Sequence, residues 1–253
     1  MKVLDIDMDF FLNKKTSADV PRVSSDFYHP WKRYDVINFL EKRLGLNKNN
    51  KIKGRIFKEH QGSFYFWKEQ IANNTLRIPF EVVHIDSHMD LGLGYGSWRA
   101  IMDDLVNCDI DDRLIYMKEN DLKPNEGDYL LYAISLRWIS KLVHVPNIND
   151  NDRNDYILYI MENCKDGANN IQLCHNTSVS STLLNDICDD ELQLQKYYEN
   201  CIFEPKVKFN IVDSNNDYLY SSYDFITFAI SPNYTPKEAD FIIDIIKEYI
   251  DEI

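Results

Sequence analysis

The chain of 253 residues is short of positive charge, with 28 Lys and Arg against 41 Asp and Glu and a formal net charge of -13. That deficit argues against nucleic acid or an anionic membrane as the main partner. No apolar run approaches the roughly 20 residues of a membrane span. The N-terminal MKVLDIDMDFF carries acids inside its apolar stretch, so it reads as a strand of the folded protein and not as a signal peptide. Its five cysteines (Cys108, Cys164, Cys174, Cys188 and Cys201) are scattered, with no CxxC spacing. Neither a zinc ribbon nor a disulfide framework is indicated, and reduced thiols in a cytoplasm are the simplest expectation. There is no internal repeat and no low-complexity segment.

What is present is an ordinary globular composition, 44% hydrophobic and 27% charged. The length suits one α/β domain spanning 1–253. Hydrophobic periodicity predicts strands at Lys2 to Asp9, Pro79 to Asp86, Leu142 to Val145, Tyr156 to Ile160, Ile171 to Leu173, Val207 to Val212 and Phe225 to Ile230. Helices are predicted at Lys32 to Leu44, Ser63 to Asn73 with Ser63 as N-cap, and Asp128 to Ser140. A last helix opens at Thr235-Pro236-Lys237-Glu238, with Thr235 as cap and Phe241, Ile242, Ile245, Ile246 and Tyr249 on one face. Asn47 to Lys53 and Asn147 to Asp155 read as polar loops. Lys14 to Ser25 and Asn147 to Asp155 are either lids or plain surface. Strands alternating with helices imply a sheet covered on both faces, with ligands at the carboxyl ends of its strands.

Two acid-rich motifs fall at such ends. VVHIDSHMDLG puts Asp86, His88 and Asp90 at alternate positions, and VLDIDMD does the same with Asp5, Asp7 and Asp9. Alternate side chains of an extended segment point the same way. Buried carboxylates without partners cost several kcal/mol each, and no Lys or Arg lies nearby in sequence to compensate them. Divalent cations would do so. Carboxylate oxygens with a few imidazoles suit Mn²⁺, and also Zn²⁺ or Fe²⁺. A bridged pair of metals about 3.5–4 Å apart can activate a water. His60, in Glu59-His60-Gln61-Gly62, is a candidate terminal imidazole.

These motifs resemble those of the arginase (ureohydrolase) superfamily: Asp86-Ser87-His88-Met89-Asp90 its D-A-H-x-D element, and Asp5-Ile6-Asp7-Met8-Asp9 its D-x-D element. DIDMDFF, EHQG, HIDSHMDLG, EGDYLLYAI and SPNYTP together resemble the peptide arginases more closely. That branch converts arginine side chains of ribosomal precursor peptides to ornithine, releasing urea. The resemblance implies a three-layer arginase/deacetylase-like α/β fold with a largely parallel central sheet, and two Mn²⁺ per chain. It implies that Asp7 and Asp86 bridge the metals, that His60 and Asp90 complete one, and that Asp9 and His88 complete the other. Asp5 would sit one step deeper, although a register with Asp5 and Asp7 as ligands stays open. The leaving amine would take a proton from Asp9 or a nearby acid or histidine, and His84 is either a proton shuttle or a core histidine on the sheet face. The arginase glutamate that holds the guanidinium has no match in FAISPNY, so Glu126 and Asp128 are the candidate substrate acids. The partner implied is an arginine-containing precursor peptide. The D-x-D motif precedes D-S-H-x-D here, the reverse of the arginase order. Rival readings are a one-zinc deacetylase of similar fold, a haloacid-dehalogenase-type phosphatase, and a non-catalytic protein stapled by metal.

Overall fold

A computed structural model of the chain describes residues 1–16, 20–94, 96–149, 156–215 and 219–253. Ten strands are formed among them: β1 (Lys2–Asp7), β2 (Ile52–Phe57), β3 (Phe80–Ile85), β4 (Ile139–Val145), β5 (Asn170–Ile171), β6 (Cys174–Asn176), β7 (Cys201–Phe203), β8 (Val207–Ile211), β9 (Phe225–Ala229) and β10 (Ile250–Glu252). The α-helical segments are α1 (Arg33–Asn38), α2 (Gly62–Ala72), α3 (Ser97–Ala100), α4 (Arg113–Glu119), α5 (Tyr129–Ser135), α6 (Leu184–Ile187), α7 (Glu191–Tyr198) and α8 (Phe241–Ile246).

Eight strands make one sheet in the order β10-β2-β9-β1-β3-β4-β8-β5, parallel except for the antiparallel edge pair β8/β5. The two acid-bearing strands, β1 and β3, are neighbours at its centre. Successive residues of a strand face opposite sides, and here both sides are apolar. Val3, Val82 and Leu142 join one core with Phe64 and Trp67 of α2 and Leu130 and Leu131 of α5. Leu4, Ile6, Val83, Ile85 and Val143 join a second with Val36 of α1 and Ile242, Ile245 and Ile246 of α8. A mostly parallel sheet buried on both faces by helices is α/β and compatible with three layers. Among the described residues, no helix is long and apolar enough to cross a membrane.

Several elements differ from the sequence expectation. β1 stops at Asp7, and Met8–Phe11 coil into a 3₁₀ turn because the Asp7 carboxylate accepts the backbone N–H of Asp9. β2 begins at Ile52, inside the polar stretch read as loop, and β10 was not foreseen. Leu158–Ile160 is a 3₁₀ turn and not a strand. The helix expected from Asp128 to Ser140 ends at Ser135, because the chain turns at Arg137 (φ 57°) to enter β4. Ser63 is inside α2, its hydroxyl spent elsewhere, and Thr235 donates to the carbonyls of Ile230 and Ser231 instead of capping a helix. The expected lids fall partly outside the described residues, at 17–19 and 150–155. Among their described residues Thr16, Val23 and Asn147 are buried, and Asn147 Nδ2 donates to the carbonyls of Phe10 and Leu12.

Candidate metal centre

The carboxyl ends of β1, β2, β3 and β9 meet at one cavity of about 80 Å³. It is lined by Asp7, Asp9, His60, Asp86, His88 and Asp90, with Leu91, Leu93, Glu126, Gly127, Ser231 and Tyr234 around them. The six residues expected as metal ligands are therefore all brought together. The extended geometry expected to aim the second motif is absent, since β3 ends at Ile85. Instead Asp86 Oδ1 accepts the His88 N–H to make a tight turn, and Asp90 sits at a left-handed φ of 52°. Asp86 and Asp90 reach the same point by a turn that returns them to it.

Two sub-clusters share Asp86. In one, His60 Nδ1 lies 3.0 Å from Asp86 Oδ2, 3.0 Å from Asp90 Oδ2 and 3.2 Å from Asp7 Oδ2. In the other, His88 Nδ1 lies 3.0 Å from Asp9 Oδ2 and 3.7 Å from Asp86 Oδ1. The outer nitrogen of His88 bonds the Thr16 carbonyl at 2.8 Å, which fixes its ring, and the Tyr234 ring packs 5.4 Å away. Ser231, held at φ 45° after β9, donates to Asp7 Oδ2. The SPNYTP segment thus reaches the site through a serine whose role no spacing in the sequence foretold.

Asp5 lies one step below and does not line the cavity. Its carboxylate accepts from Ser63 Oγ (2.7 Å), Thr227 Oγ1 (2.5 Å) and Tyr129 Oη (2.6 Å). This favours Asp7 and Asp9, not Asp5, as the acids that face the cavity. His84 is fully buried beside Asp5, with Nδ1 3.2 Å from Asp5 Oδ2 and Nε2 3.1 Å from the His88 carbonyl. Both partners can only accept, so the ring carries both protons. With both nitrogens occupied and no edge on the cavity, His84 does not suit the shuttle role expected of it. Asp128 is likewise buried, its carboxylate bonded to the N–H and side-chain amide of Asn125. It shapes the turn before α5 and does not line the cavity, whereas its neighbour Glu126 does.

The electrostatics follow from this crowding. Burial would raise Asp5, but the imidazoles of His60 and His84 hold it well below the usual carboxylate range. Burial, then the charges of Asp7 and Asp86, push Asp9 well up. Burial and Asp86 push Asp90 up to about 7. Asp86 falls well below its ordinary value against the pull of burial, drawn down by the imidazoles of His60, His88 and His84 around it. Burial opposes charge on His60 and His88, yet the carboxylates beside them raise both well above an ordinary imidazole. His144, whose ring is tilted against that of His84 with centroids 5.4 Å apart, is driven well down by burial and by the charge on His84.

This donor set fits a metal on two grounds. His60 Nδ1 and Asp90 Oδ2 are buried atoms that hydrogen-bond to nothing although they lie 3.0 Å apart. Such orphans are costly unless a further partner satisfies them. The atoms of Asp7, His60 and Asp86, and those of Asp9, Asp86 and His88, each lie close enough to share one ion. These buried groups could hold a metal ion. No family model, no curated protein and no solved structure matches the chain.

Proposed function

We propose that the chain is an arginase-like dimetal hydrolase that converts arginine side chains of a peptide to ornithine, releasing urea. The observation that carries this reading is the position of Asp86, whose two carboxylate oxygens face different imidazoles, His60 and His88. A carboxylate so placed is suited to bridge two cations. In this reading Asp7, His60, Asp86 and Asp90 hold one, and Asp9, Asp86 and His88 hold the other. Oxygen-rich ligands with one imidazole each favour Mn²⁺. When bound, such a pair supplies Lewis-acid polarisation and a water that loses its proton near neutral pH.

The remaining work falls to the chain. Glu126, on the cavity wall, pairs with the planar guanidinium and sets its carbon over the floor of the site. Leu91 and Leu93 flank the aliphatic stem of the side chain. Asp9 would take up the proton that the water gives up and pass it to the departing amine. Water adds across the guanidinium carbon, the bond to the side-chain nitrogen breaks, and ornithine and urea leave. Leu93, half exposed at the mouth, leaves the entrance open to a side chain still attached to a peptide. The net negative charge suits a cationic substrate.

The test is urea release by the Mn²⁺-loaded protein from an arginine-containing peptide and from free arginine. Urea from the peptide, lost in Glu126→Gln through a raised KM, is the expected result. Release of acetate from an acetyl-lysine peptide by a one-zinc protein, with no urea, would overturn it.

A further inference from the structure

Beneath the cavity floor, Tyr129 of α5 is fully buried and does not line the site, yet its hydroxyl stands between Asp5 and His60. That hydroxyl has one proton. It lies 2.6 Å from Asp5 Oδ2, and a carboxylate can only accept, so the proton is committed there. The same oxygen is 3.0 Å from His60 Nε2 and has only lone pairs left to offer it. His60 Nε2 must therefore be the N–H of that contact, and Asp5 Oδ2 at 3.4 Å favours the same proton. A neutral imidazole protonated at Nε2 has its lone pair on Nδ1. That is the nitrogen facing Asp7, Asp86 and Asp90.

We infer that Tyr129 and Asp5 form a tautomer lock that presents His60 Nδ1 as a metal donor. The inference rests on the metal-centre reading above. Tyr129 is a positioning residue in it, since it acts only through His60. The local structure explains the arrangement. β1 pairs Asp5 with His84 on one side and Thr227 on the other, so a polar row crosses the sheet one level below the strand ends. Ser63 of α2 and Tyr129 of α5 cover that row from the same face, Ser63 on Oδ1 and Tyr129 on Oδ2. Outer partners of metal-binding histidines commonly fix the tautomer and raise metal affinity 10- to 100-fold.

This division of the two oxygens supplies the test. Tyr129→Phe removes the oxygen that faces His60. Ser63→Ala removes a donor from the same buried carboxylate without touching His60. Mn²⁺ affinity is read from the electron paramagnetic resonance signal of the free ion, the visible spectrum from Co²⁺-loaded protein, and stability from melting of the metal-free chain. The lock predicts that Tyr129→Phe weakens Mn²⁺ binding about 10- to 100-fold and alters the Co²⁺ spectrum. Ser63→Ala should lower the melting temperature but leave affinity and spectrum near wild type. Should Tyr129→Phe not fold, Asp5→Asn gives the same readout, because its amide nitrogen can donate where the carboxylate only accepts. Wild-type affinity in Tyr129→Phe, or equal weakening in Ser63→Ala, overturns the lock alone. Absence of Mn²⁺ binding to the wild type overturns the lock together with the metal reading.

Discussion

Asp90 is a carboxyl raised from 3.8 to about 7 by burial and by Asp86. The metal-free fold therefore binds a proton there that the unfolded chain has already lost above about pH 4. Stability contributed this way is complete at low pH and disappears as pH rises through about 7, at about 1.4 kcal/mol per pH unit per proton. His60 and His88, raised above 6.5, extend the loss to higher pH. Asp5 and Asp86 are depressed and act oppositely, so stability falls again below about pH 4. The metal-free protein should be most stable in mild acid, and Asp90→Asn should flatten its decline toward pH 7 in a series of thermal melts. Metal must displace these protons, so Mn²⁺ affinity should rise with pH, with proton release visible by calorimetry in buffers of different ionisation enthalpy. A flat pH profile would contradict the protonated cluster. At this scale much was legible. Acids and histidines at alternate positions after apolar runs pointed to Asp7, Asp9, Asp86, His88 and Asp90. Tyr129, Ser231 and Thr227 were not legible, because a hydroxyl in an apolar helix or strand gives no pattern of its own.

At the scale of elements, the site depends on strands held in register. Gly54 of β2 pairs with Ile226 of β9, and a Cβ there would stand 1.9 Å from the Ile226 carbonyl oxygen. A backbone atom on an internal strand has little room to yield, so Gly54→Ala should cost at least about 2 kcal/mol in chemical denaturation. It should also weaken metal binding, since β2 leads directly into His60. Wild-type stability would show that β2 and β9 are less tightly packed than described. β1, β3 and β9 were readable to within a residue or two because they are largely apolar and buried on both faces, and β8 because its buried Val207 and Phe209 alternate with exposed Lys208 and Asn210. β2 was hidden by its polar composition, IKGRIF, and β10 by its closeness to α8. The turn at Asp86 to Asp90 was hidden too. Alternation suggested an extended segment, whereas a side-chain bond to the His88 N–H folds it.

Across the whole molecule, polar burial serves two separate ends. Outside the cavity lining, Arg113 of α4 is buried and donates to Glu204 (2.6 Å) and to the carbonyls of Val106 and Cys108, while Arg137 holds the other oxygen of Glu204. Removing one partner of a buried pair leaves the other uncompensated. Glu204→Ala should cost about 3–5 kcal/mol and leave the number of metals bound unchanged, which separates a structural ion pair from the cluster at the strand ends. A loss of metal along with stability would join the two. The central claim concerns that cluster: its carboxylates and imidazoles are gathered to hold divalent cations. The most direct measurement is the metal content of the purified chain after saturation with Mn²⁺ and removal of free ion, set beside Asp86→Ala. The account predicts two ions per wild-type chain and neither held tightly by Asp86→Ala, because both sub-clusters share that carboxylate. No retained metal in the wild type, or equal retention by the variant, would contradict it.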